Sequence, residues 1–314
     1  MIATVTLNPS IDRQLIINDL AIGEVNRAEL DQIHPGGKGV NVSRALKSYG
    51  ADTFAILIGA SLGGLWFDEK LTALDINHKV IMTSGVTRSN LTIVETDGTV
   101  TKINEQGFGI NEEILNEVRN SLNELNLKDQ WVVFAGRMNR DAPTDTYREL
   151  AKYARSLGAR VVIDASDNEL RDSIWNDGPD LIKPNQHELA TLVGRELHTL
   201  HDVIDAGREV IASGVKSVLC SLGADGAVFI TEQDAVHAEP AQPVHGVPVG
   251  AGDILLATFI AGGANVQALA NAVAWSAASV ALPGTSIPTP AQAGAVKVFV
   301  HDNVDTARNL VEVS

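Results

Sequence analysis

The sequence predicts an α/β protein: a mainly parallel sheet covered by helices on both faces, with a second, small β-sheet beside it. Two observations predict this. From about residue 130 onward, short apolar β-rich runs alternate with amphipathic helical stretches, the pattern of strands buried on both faces. Nearer the N-terminus, residues 11–34 and 84–106 alternate apolar with polar positions, as strands with one wet face do.

The elements follow in chain order. Met1-Ile2-Ala3-Thr4-Val5-Thr6-Leu7 reads as a strand, and the glycines of residues 36–39 open a helix. Ser89–Thr96, the turn Asp97-Gly98 and Thr99–Asn104 read as a hairpin. Trp131-Val132-Val133-Phe134 is a buried strand, followed by a helix through Tyr147, Leu150, Ala151 and Ala154 that Gly158 ends. Val161-Val162-Ile163, Leu181-Ile182, Val218-Leu219-Cys220 and Val228-Phe229-Ile230 continue the strand series, with a helix around Val203–Ser213. These readings divide the chain into a core of residues 1–10, 35–83 and 107–314 and a small sheet of residues 11–34 and 84–106. A sheet standing off the body in this way could cover a site as a lid.

Composition narrows the function. The 314 residues are 45% apolar and 20% charged, an ordinary globular balance. A formal net charge of −15 argues against a general nucleic-acid or anionic-membrane binder, since each needs a basic footprint. An anionic substrate stays open, because a few local N–H groups and cations suffice to hold a phosphate. The lone cysteine, Cys220, sits in an apolar run and reads as a core thiol. The N-terminus lacks a signal peptide's basic and long apolar regions, and no stretch of about 18 apolar residues exists to span a membrane. The expectation is a cytoplasmic protein.

The strongest chemical signal is Val249-Gly250-Ala251-Gly252-Asp253 ahead of an apolar helix that ends at Gly262-Gly263. Small residues let a ligand approach the N–H groups at the positive end of the helix dipole. An aspartate there could take a proton from an attacking hydroxyl. Equally, Asp253 could simply favour the helix N-terminus, and the motif alone leaves both readings open.

A second signal is Pro35-Gly36-Gly37-Lys38-Gly39-Val40-Asn41, whose N–H groups and Asn41 could read sugar hydroxyls if it is more than a flexible turn. It is no Walker A loop, since neither Ser nor Thr follows the lysine. Lys183-Pro184-Asn185-Gln186-His187-Glu188 places Asn185 and Glu188 three apart at a helix start. That spacing suits hydrated Mg²⁺, and locally it suits a capping box better. Ser221-Leu222-Gly223-Ala224-Asp225-Gly226 follows a strand and reads as a nucleotide-side turn or a loop. Thr87-Arg88-Ser89-Asn90 puts a cation and an amide at the root of the small sheet, where a phosphate could be clamped. There is no HExxH, cysteine cluster or GxGxxG, so zinc and dinucleotide chemistry lose support.

In this order and combination the motifs resemble those of the PfkB (ribokinase-like) carbohydrate kinases, from Thr6-Leu7-Asn8-Pro9-Ser10-Ile11-Asp12 to Pro283-Gly284-Thr285. Gly23-Glu24-Val25-Asn26-Arg27, Thr87-Arg88-Ser89-Asn90 and Ile103-Asn104-Glu105-Gln106-Gly107 are similar to the 1-phosphofructokinase and tagatose-6-phosphate kinase branch. The resemblance implies a ribokinase-like three-layer αβα sandwich with a β lid, and a homodimer made through the lids. It implies ATP and Mg²⁺ as cofactors and a sugar phosphate as acceptor. Asp253 would be the base, with Gly250, Ala251 and Gly252 as the anion hole. Asp12, Gly36, Gly37, Lys38, Asn41, Arg88 and Asn90 would bind the sugar phosphate. Lys183, Asn185, Ser221, Gly223, Gly226 and Ala277 would lie along ATP, and Asn185 and Glu188 would hold Mg²⁺ through water.

Two departures stand out. The run Ala135-Gly136-Arg137-Met138-Asn139 replaces the family's Ser-Gly-Ser-Leu-Pro, so Arg137 could add a second cation to the phosphate clamp. Val247-Pro248 replaces a polar residue and a threonine, and Ile254 replaces a small residue. The expected reaction is phosphorylation of fructose 1-phosphate, with tagatose 6-phosphate and fructose 6-phosphate as rival substrates. A catalytically weak sugar-phosphate binder is the reading from a different class.

Overall fold

The computed structural model describes residues 1–139, 141–246, 249–301 and 304–311. In chain order, β1 (Ile2–Thr6), β2 (Ser10–Ile17) and β3 (Glu29–Gly36) precede α1 (Lys38–Tyr49), β4 (Thr53–Ala60), α2 (Ser61–Ala73) and β5 (Asn77–Thr83). The hairpin β6 (Arg88–Glu95) and β7 (Val100–Asn104) leads to α3 (Glu112–Asn123), β8 (Trp131–Ala135), α4 (Thr146–Ser156), β9 (Arg160–Asp164), α5 (Asp167–Asp172) and β10 (Leu181–Ile182). Then come α6 (Gln186–Val193), α7 (Leu200–Ala212), β11 (Val218–Ser221), β12 (Ala227–Ile230) and β13 (Ala235–Pro240). The last elements are α8 (Ala251–Ala261), α9 (Val266–Val280), α10 (Pro290–Gly294) and β14 (Val298–His301).

Ten strands form one sheet in the order β14-β13-β12-β11-β10-β9-β8-β1-β4-β5. From β5 to β11 every pair is parallel, and β12, β13 and β14 are added antiparallel. The apolar run at 228–230 therefore does not extend the parallel series. Only a 3₁₀ turn, Gly223–Asp225, joins it to β11. A parallel pair needs a crossover of a dozen residues or more, so the strand doubles back.

Both faces of the sheet are buried, which is why its strands read as unbroken apolar runs. On β8, Val132 and Phe134 pack into one core with Leu122, Tyr147 and Leu150. The alternate residues Trp131, Val133 and Ala135 pack into the other, with Leu46, Leu255 and Phe259. This period-two division assigns α3 and α4 to one layer and α1 and α8 to the other.

The small sheet has the order β3-β2-β6-β7. It leaves the body where Ser10 pairs with both Gly36 and Arg88, so its root carries the two motifs at once. Asp12 sits on one rung with His34 and Asn90. Among the described residues, no helix is long and apolar enough to cross a membrane.

Candidate active site

The site lies at the carboxyl ends of the parallel strands, where open α/β sheets leave a crevice. A cleft of about 1630 Å³ runs between these strand ends and the small sheet. Every expected site residue lines it except Gly36 and Arg137. Gly36 stands directly under Asp12, and a Cβ there would overlap that carboxylate. Arg137 is exposed on the loop after β8.

Two helices bring Asp253 and Asn41 together. Gly250 enters α8 with φ 78° and makes no side-chain cap, and Asp253 lies in the first turn with 6% of its surface exposed. The carboxylate does not cap its own helix: Asp253 Oδ2 accepts a hydrogen bond from Asn41 Nδ2 at 2.9 Å. Burial pushes the Asp253 carboxyl up to about 7, and the neighbouring Asp164 adds to the shift, while Lys38, the Asn41 bond and Lys183 oppose it. Asn41 is presented by α1, whose N-cap Gly37 adopts φ 99°.

Arg44, one turn on, holds the Asn41 amide in register. Its Nη1 donates to Asn41 Oδ1 at 3.2 Å, to the Pro35 carbonyl at 3.3 Å and to Thr285 Oγ1 at 3.4 Å. With the amide oxygen engaged by a cation, the amide nitrogen faces Asp253. Burial lowers the Arg44 pKa to about 10, against the pull of Asp12 and Asp253.

Behind Asp253 lies a charged cluster. Lys38 Nζ donates to Asp164 Oδ1 at 2.9 Å and lies 3.9 Å from Glu188 Oε1. Lys183 Nζ is 3.4 Å from Asp164 Oδ2. Burial disfavours the Lys38 charge, but Asp164, Glu188 and Asp253 outweigh it and hold its pKa above the ordinary value. A Cβ on Gly252 would come within 3.2 Å of Lys183 Nζ, so this ammonium faces the N-terminus of α8. Two ammoniums and the helix dipole thus converge where Gly250, Ala251 and Gly252 leave the backbone bare.

Asn185 and Glu188 do form the capping box: Asn185 Oδ1 accepts from Glu188 N–H at 2.8 Å, and Glu188 Oε2 accepts from Asn185 N–H at 2.9 Å. Glu188 Oε1 also accepts from Ser166 Oγ at 2.6 Å. A hard cation would meet an all-oxygen set here, with Asp164 Oδ2 buried and unpaired by any hydrogen bond. That donor set fits hydrated Mg²⁺ held through water, since Glu188 already spends both oxygens on protein groups. Beside it, Ser221, Gly223 (φ 59°) and Gly226 (φ 79°) form a tight turn, and Ala277 of α9 lines the facing wall.

On the small sheet, Ser10 Oγ donates to Asp12 Oδ1 at 2.7 Å and Asn90 Nδ2 donates to the same oxygen at 3.0 Å. Burial raises the Asp12 pKa in spite of these bonds and of Arg44 and Arg88. Arg88 keeps a buried Nε with no hydrogen-bond partner. Burial lowers its pKa, Asp12 opposes that, and the like charge of Arg137 lowers it further. An anion between the two guanidiniums would relieve both strains.

Sequence reasoning passed over Asp164 and Arg44. The one available signal for Asp164 was its place just after Val161-Val162-Ile163, at the carboxyl end of a parallel strand. In the loop after β8, Asn139 is buried and donates to the Phe108 carbonyl, and Tyr147 donates to the Gly136 carbonyl. Ile254 is buried in the apolar core beside Asp253. Val247 and Pro248 lie outside the described residues.

A buried carboxylate at a helix N-terminus, cations behind it and a glycine turn beside it define a small-molecule kinase site. Residues 6–292 match the pfkB family carbohydrate kinase, and the chain belongs to that family. It is a carbohydrate kinase with the ribokinase-like fold. It is 33% identical over 262 residues to a 1-phosphofructokinase of Bacillus subtilis, covering 83% of this chain and 85% of that one. A 1-phosphofructokinase of Rhodobacter capsulatus is 36% identical over 263 residues, covering 82% of each. The crystal structure of phosphofructokinase-2 from Escherichia coli in complex with fructose-6-phosphate superposes with a TM-score of 0.85 and 26% identity, over 93% of this chain and 96% of that one.

Proposed function

We propose that the chain transfers the γ-phosphoryl group of ATP to the C6 hydroxyl of fructose 1-phosphate, giving fructose 1,6-bisphosphate. The observation that carries this is the placement of Asp253 in one cleft with Arg88 and Asp12 of the small sheet. Arg88 and Arg137 take the existing phosphate, while Asp12, Asn90, the Gly37 N–H and Asn41 read the sugar hydroxyls. The far hydroxyl then faces Asp253. Its oxygen bonds to the γ-phosphorus as the bond to the bridging oxygen of ADP breaks, and its proton passes to Asp253.

The N–H groups of Ala251 and Gly252, with Lys183, stabilise the equatorial oxygens in flight. Lys183, Asn185, Ser221, Gly223, Gly226 and Ala277 hold the nucleotide. Asn185 and Glu188, next to Asp164, would hold Mg²⁺ through water, and the ion would supply positive charge against the nucleotide phosphates. The small sheet acts as a lid and keeps out water, the competing acceptor. Two copies pair through these lids, which leave Ile16, Leu30, Ile33 and Ile103 exposed. The cytoplasm, where ATP is supplied, is the proposed compartment.

Likeness to the fructose-6-phosphate complex supports fructose 6-phosphate as the second reading. Steady-state ADP release with fructose 1-phosphate, fructose 6-phosphate and tagatose 6-phosphate separates them. The expected result is at least a tenfold preference for fructose 1-phosphate in kcat/KM, about 1.4 kcal/mol. A preference for either other sugar moves the specificity there.

A further inference from the structure

The turn between β11 and β12 is gripped from behind by the C-terminal segment. Asp225, in that turn, is 4% exposed. Its Oδ1 accepts a hydrogen bond from Arg308 Nη2, its Oδ2 one from the Val311 N–H, and its carbonyl one from His237 Nε2, each at 2.7 Å. Arg308 also donates twice to Glu239 of β13, Nη1 to Oε1 and Nη2 to Oε2, both at 2.7 Å. His301 of β14 lies 2.9 Å from the same carboxylate.

His237, Glu239 and His301 bring their ligand-type atoms within 4.8 Å of one another, a donor set that a transition metal could use. Here the guanidinium of Arg308 already engages both Glu239 oxygens, so the chain supplies its own cation. A bidentate guanidinium between two carboxylates has more directional hold than a point charge would. The object held is the turn whose Ser221, Gly223 and Gly226 line the cleft, and Val311 lines it too. The turn has little freedom of its own, since a Cβ on Gly226 would overlap the Ala238 carbonyl. The family match ends at residue 292, so β14 and the segment carrying Arg308 lie beyond it.

We propose that Arg308 is a positioning residue for the nucleotide: by fixing Asp225 it sets the shape of the Ser221–Gly226 turn and makes nucleotide affinity depend on the C-terminal segment. This rests on the reading of that turn as the nucleotide side of the cleft. Without Arg308, two carboxylates lose their cation and the turn must be reordered by each nucleotide that binds.

The test compares Arg308→Met and Arg308→Lys in the full chain. Arg308→Met should raise KM for MgATP about tenfold, with a much smaller change in KM for the sugar phosphate. Arg308→Lys should recover part of the loss, because an ammonium reaches one carboxylate and not both. An unchanged KM for MgATP in a folded variant overturns the proposal. So does a parallel loss of kcat, both KM values and Tm, which marks a merely structural role.

Hydrogen exchange on the unaltered protein covers variants that fail to fold. A non-hydrolysable ATP analogue with Mg²⁺ should slow exchange in residues 218–226 and 304–311 together. Protection of 218–226 alone overturns the role of Arg308 and leaves the nucleotide site standing. Protection of neither overturns both.

Discussion

In the proposed reaction Asp253 is the base, and its setting makes that role testable by pH. Burial and then Asp164 raise its pKa to about 7 from an ordinary 3.8. The base form is therefore incompletely populated at neutral pH. In the free protein, kcat/KM for the sugar phosphate should climb as pH rises through about 7, and a flat profile from pH 6 to 8 would remove Asp253 as the titrating base. Stability should run the other way. The folded pKa exceeds the unfolded one, so this group's contribution is fully present below about pH 3.8 and is lost as pH rises through about 7. Urea titrations at pH 5 and pH 8 should thus show a smaller loss of stability for Asp253→Asn than for the unaltered chain. At this scale the sequence singled out Asp253 among glycines ahead of an apolar helix but left a base and a helix-terminus residue equally open; the fold adds the bond from Asn41 to its carboxylate. The sequence hid Asp164, since a strand-terminal aspartate looks like any other until Lys38, 126 residues away, folds onto it. Arg44 was hidden for the same reason: a lone arginine on a helix reads as solvated until Pro35 and Thr285 close over it.

Among the elements, turns fix the site more than helices do. Gly226 has φ 79° and its missing Cβ makes room for the Ala238 carbonyl. Gly226→Ala should destabilise the fold by about 1–3 kcal/mol in urea titration and raise KM for MgATP more than KM for the sugar. Equal effects on both substrates would contradict the turn's assignment to the nucleotide. Most strands and helices were legible because apolar period and glycine stops report burial directly. The direction of β12 was not, since a fully buried run looks alike whichever way it points. Its connection, the five residues 222–226 with a 3₁₀ turn at their centre, decides the matter. Asn185 and Glu188 show how one spacing serves two purposes: the capping box anchors α6, and the same carboxylate stays beside Lys38 and Asp164.

For the molecule as a whole, the α/β class and the separate small sheet were readable from two periodicities. How the sheet meets the body was not, because that depends on Ser10 pairing with both Gly36 and Arg88 across distant segments. The exposed Ile16, Leu30, Ile33 and Ile103 of this sheet predict a dimer at micromolar concentration. Sedimentation should find it, and Ile16→Glu with Leu30→Glu should return the monomer. A monomer in the unaltered protein would remove the lid-to-lid assembly and leave the site chemistry untouched. In the proposed reaction one buried carboxylate, Asp253, takes the acceptor's proton in a cleft that otherwise binds on its own. Rapid-quench measurement of a single turnover of fructose 1-phosphate with excess MgATP, comparing the protein with Asp253→Asn, tests it most directly. The rate of phosphoryl transfer should fall by about 10²–10⁴-fold, with calorimetric sugar-phosphate affinity retained. Transfer within tenfold of the unaltered rate would contradict the role of Asp253.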